Sequence, residues 1–195
     1  MAQSITTPVP APAPALMSTT PTTAFLTGTG TITIIPALAT HIPIIQTLSV
    51  AAFTKYIPLI GRRPAPMDVD YHALLSTPET AVYVLALTTG TDTAPEGDIQ
   101  VLGAITLTTP PLSSFLHVNN LLVDPESQGR GYGRLLLEFA ESKAREAGRE
   151  AVTLATHVQM VNNIRFYLNV GFKETGRETV DGFDRVNFRK ELGSS

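Results

Sequence analysis

The sequence predicts an α/β fold in which one mixed, mostly antiparallel sheet of about seven strands is flanked by helices. The first observation is the order of the hydrophobic patterns, which reads β-α-α-β-β-β-α-β-α-β-β along the chain. The second is a glycine-rich turn that joins an apolar strand directly to an amphipathic helix. The third is an Asp-Gly pair near the end, which is typical of a tight hairpin turn.

The first half of the chain supplies a strand, two helices and a hairpin. The β-branched run Thr31–Ile35 predicts the first strand, and apolar residues at helical spacing between 42 and 55 predict the first helix. A short second helix follows, with Asp68 as its expected N-cap. Two apolar runs, at 81–87 and 99–107, predict an antiparallel hairpin.

The second half supplies the glycine-rich turn and the last strands. The helix after that turn is expected to end at Gly148, which suits the left-handed residue beyond a helix C-terminus. Asp181-Gly182 is expected to close the final hairpin. The predicted elements are a strand at 115–123, a helix at 134–147, a strand at 151–156, a short helix at 162–169 and strands at 172–179 and 183–190.

Length and composition indicate one globular domain, since the chain has 195 residues and 43% hydrophobic side chains. We place the domain at residues 29–192, after an Ala/Pro/Thr-rich tail at residues 1–28 that we expect to be flexible. The tail lacks the features of secretory and mitochondrial signals, so we expect a cytoplasmic protein. Three prolines interrupt the apolar run at 31–60, so we expect no transmembrane helix there.

The composition also excludes several kinds of site. Without cysteine the chain has no disulfide framework, no thiolate zinc site and no cysteine nucleophile. His117 and His157 lack the spacing of metal ligands, so we expect no metal site. The net charge of −3 provides no general basis for binding nucleic acid or an anionic membrane. We expect a monomer or a homodimer.

The stretch Leu121–Arg134, LLVDPESQGRGYGR, is the strongest candidate for a binding site. Its three glycines let the backbone turn tightly and approach a ligand closely. The helix that follows presents unpaired N–H groups and the positive end of its dipole there, which favours a phosphate. The stretch is not a Walker loop, because Arg134-Leu135 stands where that loop needs Lys-Ser/Thr. It is not a dinucleotide loop either, because its glycines are spaced two apart.

Two motifs resemble those of the GCN5-related N-acetyltransferases, the GNAT superfamily. Gln128, Gly131 and Gly133 match its Q/R-x-x-G-x-G/A pyrophosphate loop. The segment Asn163–Phe172 is similar to its N-I-x-x-Y-x-x-x-G-F segment. The resemblance spans roughly residues 30–192, and it implies the GNAT fold, acetyl-CoA as cosubstrate and the transfer of an acetyl group to an amine.

The resemblance also implies which residues bind acetyl-CoA. The backbone of the glycine-rich loop would hold the pyrophosphate, and the strand before it, which bulges in the family, would pair with the pantetheine amides. Arg130 and Arg134 are either phosphate partners or solvated surface residues. Asn163 would contact the pantetheine arm or cap its helix. The expected donor-binding residues are Leu121, Leu122, Val123, Gln128, Gly129, Arg130, Gly131, Tyr132, Gly133, Arg134, Asn163 and Tyr167.

The catalytic residues are less well defined. Tyr167 matches the tyrosine that protonates the departing thiolate in many family members, although an aromatic residue on a short helix can also simply pack in the core. Asn119 stands where many similar sequences have a glutamate, and an amide is no base at neutral pH. His117, His157 or a water relay therefore remain as candidate bases.

The resemblance also implies a lid between the first two helices, and we expect Tyr56, Met67 and Tyr71 of this lid, together with Asn119, to line the acceptor pocket. These neutral and aromatic residues favour a small-molecule primary amine. Two alternatives stay open: acetylation of protein N-termini or lysines, and a non-catalytic module that binds CoA. The missing glutamate at Asn119 is what keeps the second alternative open.

Overall fold

A computed structural model describes residues 22–27, 30–89 and 98–193, which form one eight-stranded sheet in the order β1-β2-β3-β4-β5-β6-β8-β7. Only β5 and β6 pair in parallel, so the prediction of a mixed, mostly antiparallel sheet is confirmed. The strands are β1 Thr22–Thr27, β2 Gly30–Pro36, β3 Thr80–Thr89, β4 Asp98–Thr108, β5 Phe115–Val123, β6 Ala151–His157, β7 Lys173–Val180 and β8 Phe183–Glu191.

The edge strand β1 was not predicted. It pairs with β2 and takes up residues that the sequence analysis assigned to the flexible tail. Its sequence, TTAFLT, is rich in residues that favour strands, and the free edge of β2 offers it unpaired backbone groups. Residues 1–21 and 28 of the predicted tail lie outside the described residues. The single domain at 29–192 stays a prediction.

In the described part of the chain five α-helices cover the two faces of the sheet: α1 Ile42–Phe53, α2 Ile57–Ile60, α3 Tyr71–Leu75, α4 Tyr132–Glu146 and α5 Val161–Asn169. The short α2 begins with Pro58 in its first turn, where the missing N–H of proline does no harm. The N-cap of α3 is Asp70, whose Oδ1 accepts from the Ala73 N–H at 3.1 Å. The predicted cap, Asp68, instead forms an ion pair with Arg63 at 2.6 Å.

The sheet carries a buried hydrophobic cluster on each face. On one face α4 contributes Leu136, Leu137 and other apolar residues, and on the opposite face α1 contributes Ile42 and Ile45. The helical run Ala39–Ile60 has the length and hydropathy of a membrane span, but its apolar side packs on the sheet as part of this second cluster.

Halfway along β5 the sheet divides. Leu107 of β4 pairs with Val118 and Thr106 pairs with Asn120, so Asn119 is an extra residue that forms a β-bulge. The parallel pairing with β6 also stops at this point, since its last pair is Val118 with Leu154. Beyond the bulge, β5 has no strand partner on its β6 side among the described residues. The bulge, which the resemblance implied, and the divergence of β5 from β6 open the sheet between these strands.

Candidate active site

Two cavities meet where β5 and β6 separate. The loop cavity, of about 310 Å³, lies between α1, α5 and the glycine-rich loop. The lid cavity, of about 260 Å³, lies between the segment 60–74, the bulge in β5 and the ends of β6 and β8. Four residues line both cavities: Phe53, Leu121, Asn163 and Tyr167. The two cavities are therefore adjacent, and these four residues form their common boundary.

The predicted donor-binding residues all line the loop cavity, with the exception of Arg130. Arg130 is exposed, and within the described part of the chain it lines neither cavity, which agrees with its reading as a solvated residue. Arg134 does line the loop cavity and stands in the first turn of α4. Of the two arginines, only Arg134 is placed to contact a phosphate there.

The glycine-rich loop has the geometry of an anion site. Gly129 and Gly131 have φ angles of +80° and +86°, which side chains rarely adopt, and the space beside both is open. The first hydrogen bond of α4 runs from the Leu135 N–H to the Gly131 carbonyl at 3.1 Å, so the N–H groups of residues 132–134 precede the bonded ladder. The first turn contains no acidic side chain that would occupy this end of the dipole.

Gln128 fixes the start of the loop and brings a cation to it. Its Nε2 donates to the Val123 carbonyl at 3.1 Å, and its Oε1 accepts from Lys55 Nζ at 3.5 Å. Lys55 also lines the loop cavity, although it was not predicted as a site residue. Lys55 lies just beyond the end of α1 and belongs to no recognisable motif. It could not be predicted from the sequence, because only the packing of α1 on the sheet brings it to the loop.

Gly131→Ala is expected to weaken binding of CoA and to lower the stability of the protein. A side chain in the left-handed region costs roughly 1–2 kcal/mol, so the native loop conformation would be lost or strained. Isothermal calorimetry and the melting temperature measure the two effects. Gly176→Ala in β7 is the matched control, because Gly176 has neither the left-handed φ nor a neighbour within 4 Å. Equal CoA affinity in both variants would contradict this role of the loop.

Tyr167 combines the two roles that the sequence left open. Its ring is buried and packs against Phe166, Phe172 and Phe188, with centroid distances of 5.4 to 6.1 Å. It also lines both cavities. Burial, and to a smaller extent Tyr56, raises the pKa of its hydroxyl, so the group is protonated at any working pH. It is therefore available to donate a proton.

Tyr56 belongs to the donor side, which corrects its assignment to the acceptor pocket. It lines the loop cavity, and its hydroxyl donates to Asn163 Oδ1 at 3.1 Å. The side chain of Asn163 does not cap α5, whose N-cap is Met160 without a side-chain hydrogen bond. Asn163 is thus held at the boundary between the two cavities by Tyr56 and by Met160, whose Sδ accepts from Asn163 Nδ2 at 3.6 Å.

Met67 and Tyr71, the other predicted acceptor residues, are buried in the core and line neither cavity. Because α3 and the turn before it present their largest apolar side chains to the sheet, other lid residues form the cavity wall. These are chiefly Pro64, Pro66 and Val69. The lid thus lines the cavity as the resemblance implied, but through different side chains.

Tyr71 nevertheless acts on the site through a hydrogen-bonded chain that ends at Asn120. Ser49 Oγ donates to the Pro66 carbonyl at 2.7 Å, and Ser49 is also a hydrogen-bond partner of the Tyr71 hydroxyl. Asn120 Nδ2 donates to that hydroxyl at 2.7 Å. Because a carbonyl can only accept, every group in the chain donates towards Pro66.

This direction leaves Asn120 Oδ1 as a buried acceptor without a partner among the described residues, on a side chain that lines the lid cavity. Such a group is costly unless a ligand satisfies it. The predicted residue Asn119 also lines the lid cavity, although its side chain is exposed and its Oδ1 accepts from Thr108 Oγ1 at 2.7 Å. The only sequence signal for Asn120 was a second amide within an apolar strand.

His157 lines the lid cavity, but its hydrogen bond makes it a poor base. Its Nδ1 accepts from the Gln159 N–H at 3.1 Å, so the neutral ring must carry its proton on Nε2. The one lone pair that could take a proton is already occupied. Burial lowers the pKa of this ring, and Asp184 partly opposes the shift.

His117 keeps a lone pair available. Its Nδ1 lies 2.9 Å from Thr153 Oγ1, and when Nδ1 donates to that hydroxyl, Nε2 is free to accept a proton. The side chain lines the lid cavity. Burial, and next the charge of Arg185, lowers its pKa, so the ring is neutral at pH 7. Of the two histidines, His117 is the one whose contacts permit it to act as a base.

Comparison with known proteins agrees with this arrangement. Residues 47–172 match the description "Acetyltransferase (GNAT) family". The peptidyl-lysine N-acetyltransferase YjaB of Escherichia coli is 43% identical over 72 residues, which are 36% of this chain and 44% of that protein. The aminoalkylphosphonate N-acetyltransferase of Salmonella typhimurium is 38% identical over 58 residues, 30% of this chain and 38% of that protein. The chain thus spans less than half the length of these two curated relatives.

Solved structures share the fold over most of the chain. A GNAT family acetyltransferase from Elizabethkingia anophelis, crystallised with acetyl-CoA, has a TM-score of 0.58 at 18% identity and covers 83% of this chain and 98% of its own. The PaiA N-acetyltransferase of Thermoplasma acidophilum, in complex with coenzyme A, has a TM-score of 0.60 at 17% identity, with coverage of 83% and 99%. Since the family match extends over more than half of the sequence and includes the bulge, the loop and Tyr167, the chain belongs to the GNAT acetyltransferase family.

Proposed function

We propose that the protein is an acetyl-CoA-dependent N-acetyltransferase that acetylates the primary amine of a small molecule in a ternary complex. The observation that carries the proposal is the meeting of two cavities at Tyr167, one beside an anion-binding loop and one beside a neutral histidine. Two substrates held in these cavities would be brought together without leaving the protein, which is the main requirement for direct transfer.

The loop cavity fits acetyl-CoA. The open glycine backbone and the N-terminus of α4 suit the pyrophosphate, and Lys55 and Arg134 add positive charge. The backbone of residues 121–123, which line the cavity, is available to hydrogen-bond the amides of the pantetheine arm. When bound, acetyl-CoA supplies a thioester, whose acetyl group an amine can attack.

Different residues at the boundary between the two cavities would carry out different steps of the reaction. His117 Nε2 takes the proton that the amine loses as the new C–N bond forms, directly or through a water molecule. A backbone N–H near the bulge in β5 polarises the carbonyl that is attacked. As the C–S bond breaks, the Tyr167 hydroxyl gives its proton to the sulfur, and solvent restores it. Asn120 Oδ1 accepts from the amine and thereby orients it.

The size of the lid cavity favours a small acceptor. Its volume of about 260 Å³ is slightly below the usual range for drug-sized ligands. A peptide lysine is the second candidate acceptor, and the similarity to YjaB, a peptidyl-lysine N-acetyltransferase, is the observation in its favour. A lysine side chain could enter the same cavity from a bound peptide.

The predicted cytoplasmic location stays a prediction.

The test is release of free thiol from acetyl-CoA in the presence of a panel of amines. We expect one or more small primary amines to give thiol release above the rate of hydrolysis without acceptor, and mass spectrometry to find the acetylated amine. Peptides with a free N-terminus or an internal lysine form the second arm, and preference for them would select the protein-acetylating alternative. CoA binding without thiol release in either arm would overturn the proposal in favour of a non-catalytic module.

A further inference from the structure

Arg185 is the one permanently charged side chain among the described residues that line the lid cavity. It stands on β8, opposite His157 of β6, and is half-buried. No aspartate or glutamate lines this cavity in the described part of the chain. The cavity that would hold the amine therefore carries a net positive charge instead of the negative charge that an ammonium group would prefer.

The guanidinium of Arg185 has no ion pair or hydrogen bond within the described residues, although carboxylates are close to it in the sheet. Glu178, its cross-strand neighbour on β7, accepts from Asn187 Nδ2 at 2.7 Å. Asp184, the preceding residue, accepts from Thr179 Oγ1 at 2.7 Å. Arg189, on the same strand, is by contrast paired with Glu191 at 2.6 Å. Arg185 is thus left without a counter-ion on the wall of a binding cavity.

The positive charge of Arg185 also acts on the centre of the site, because it contributes to the lowered pKa of His117. A ligand that carried only a positive charge would be repelled from this cavity, and a neutral ligand would leave the guanidinium unpaired. A carboxylate or a phosphonate would satisfy it with paired N–H donors, the geometry in which arginine binds anions best.

We propose that the acceptor is an amine that also carries an anionic group, a carboxylate or a phosphonate, and that Arg185 binds this group. The inference rests on the proposed function and names the substrate class for it. Asn120 on β5 and Arg185 on β8 would hold the two ends of the molecule, on either side of β6. Adjacent paired strands are about 4.8 Å apart, so β5 and β8 are roughly 10 Å apart across β6, and one small acceptor can contact both residues only when the Arg185 side chain extends towards β5.

The body of such an acceptor would be apolar. Beside its polar residues the lid cavity is lined by Pro64, Val69 and Leu74 from the lid and by Phe183 from β8. The guanidinium of Arg62 lies 3.9 Å from the centre of the Phe183 ring and adds a second positive charge near the anion-binding end. The expected class is therefore an amine that carries both an anionic group and an apolar side chain.

The test compares three amines that share one skeleton: phenethylamine, phenylalanine, which adds a carboxylate, and 1-amino-2-phenylethylphosphonate, which adds a phosphonate. We expect kcat/KM to favour one or both anionic amines by at least about tenfold. The better of the two identifies the anion. In Arg185→Gln this preference should fall to a few-fold or less, mainly through KM, and Arg185→Lys should retain part of it.

Comparing variants separates binding of the acceptor by the protein from the intrinsic reactivity of the amine. The basicity of each amine is the same in every assay, so a change in preference between variants must come from the protein. Arg189→Gln is the matched control, since it removes an arginine of the same strand that lines neither cavity, and its preference should equal that of the wild type. Equal kcat/KM for charged and uncharged amines, or an equal preference in Arg185→Gln and the wild type, would overturn the inference and leave the proposed function intact.

If none of the amines were acetylated, calorimetry in the presence of CoA would still test the inference, because binding needs no turnover. Phenylalanine or its phosphonate should then bind the wild type at least about tenfold more tightly than phenethylamine does. The absence of that difference would overturn the inference. Absence of turnover with every amine and peptide overturns the proposed function separately.

Discussion

Tyr167→Phe is expected to lower kcat by about 10²- to 10⁴-fold and to leave the affinity for acetyl-CoA within a few-fold of that of the wild type. The substitution removes only the hydroxyl, while the ring keeps its contacts with Phe166, Phe172 and Phe188. Turnover should therefore suffer far more than donor binding. Steady-state kinetics and calorimetric titration with CoA measure the two quantities.

The pH dependence of the wild type sharpens this prediction. Burial raises the pKa of Tyr167, so its proton is present throughout the working range and no alkaline loss of activity below pH 10 should arise from it. Tyr83→Phe is the matched control, because Tyr83 is equally buried beside α4 but lines neither cavity. A kcat for Tyr167→Phe equal to that of this control would mean that water protonates the thiolate.

The donor side was predictable because its signals are local in the sequence. The order of apolar strand, proline, glycines and amphipathic helix in Leu121–Arg134 fixes the turn and places the helix N-terminus beside the end of β5. Gly129 and Gly131 adopt the left-handed backbone that their residue type permits. Tyr167 follows from a motif on a single short helix. None of these features depends on the register between distant strands.

The acceptor side was less predictable, because its geometry depends on such register. Strict alternation would put Asn119 and His117 on one face of β5, but the bulge at Asn119 interrupts the alternation and leaves Asn120 as the buried amide of the lid cavity. Arg185 reaches the cavity only because β8, the last strand along the chain, inserts between β6 and β7. No local pattern encodes either placement.

The side chains of the lid were difficult to predict for a different reason. The resemblance placed Met67 and Tyr71 in the lid, where we expected them to line the acceptor pocket, yet in the fold they turn inwards and smaller neighbours form the cavity wall. Hydrophobic size predicts burial better than it predicts contact with a ligand. Tyr71 affects the site indirectly, because its hydroxyl sets the orientation of Asn120.

His117→Gln is expected to lower kcat/KM by about 10²- to 10⁴-fold, whereas His157→Gln should lower it far less. The difference follows from their contacts. The Nε2 atom of His117 is free when Nδ1 donates to Thr153, whereas the only lone pair of neutral His157 accepts from the Gln159 N–H. Both substitutions remove an imidazole from the same cavity, so each serves as the control for the other. Equal losses, or a larger loss in His157→Gln, would contradict the assignment of His117 as the base.

The fall of kcat/KM at acid pH provides a second test of His117 as the base, because the pKa of His117 depends on the nearby charge of Arg185. Burial and Arg185 hold the pKa of His117 below 6.5, so kcat/KM should be lost only as the pH falls below that value, when protonation removes the base. In Arg185→Gln the repelling charge is gone, so the pKa should rise and the acid limb should move to higher pH. Melting temperatures over the same pH range separate this effect from unfolding. An acid limb at the same pH in both proteins would show that the group controlling activity is not beside Arg185, which excludes His117.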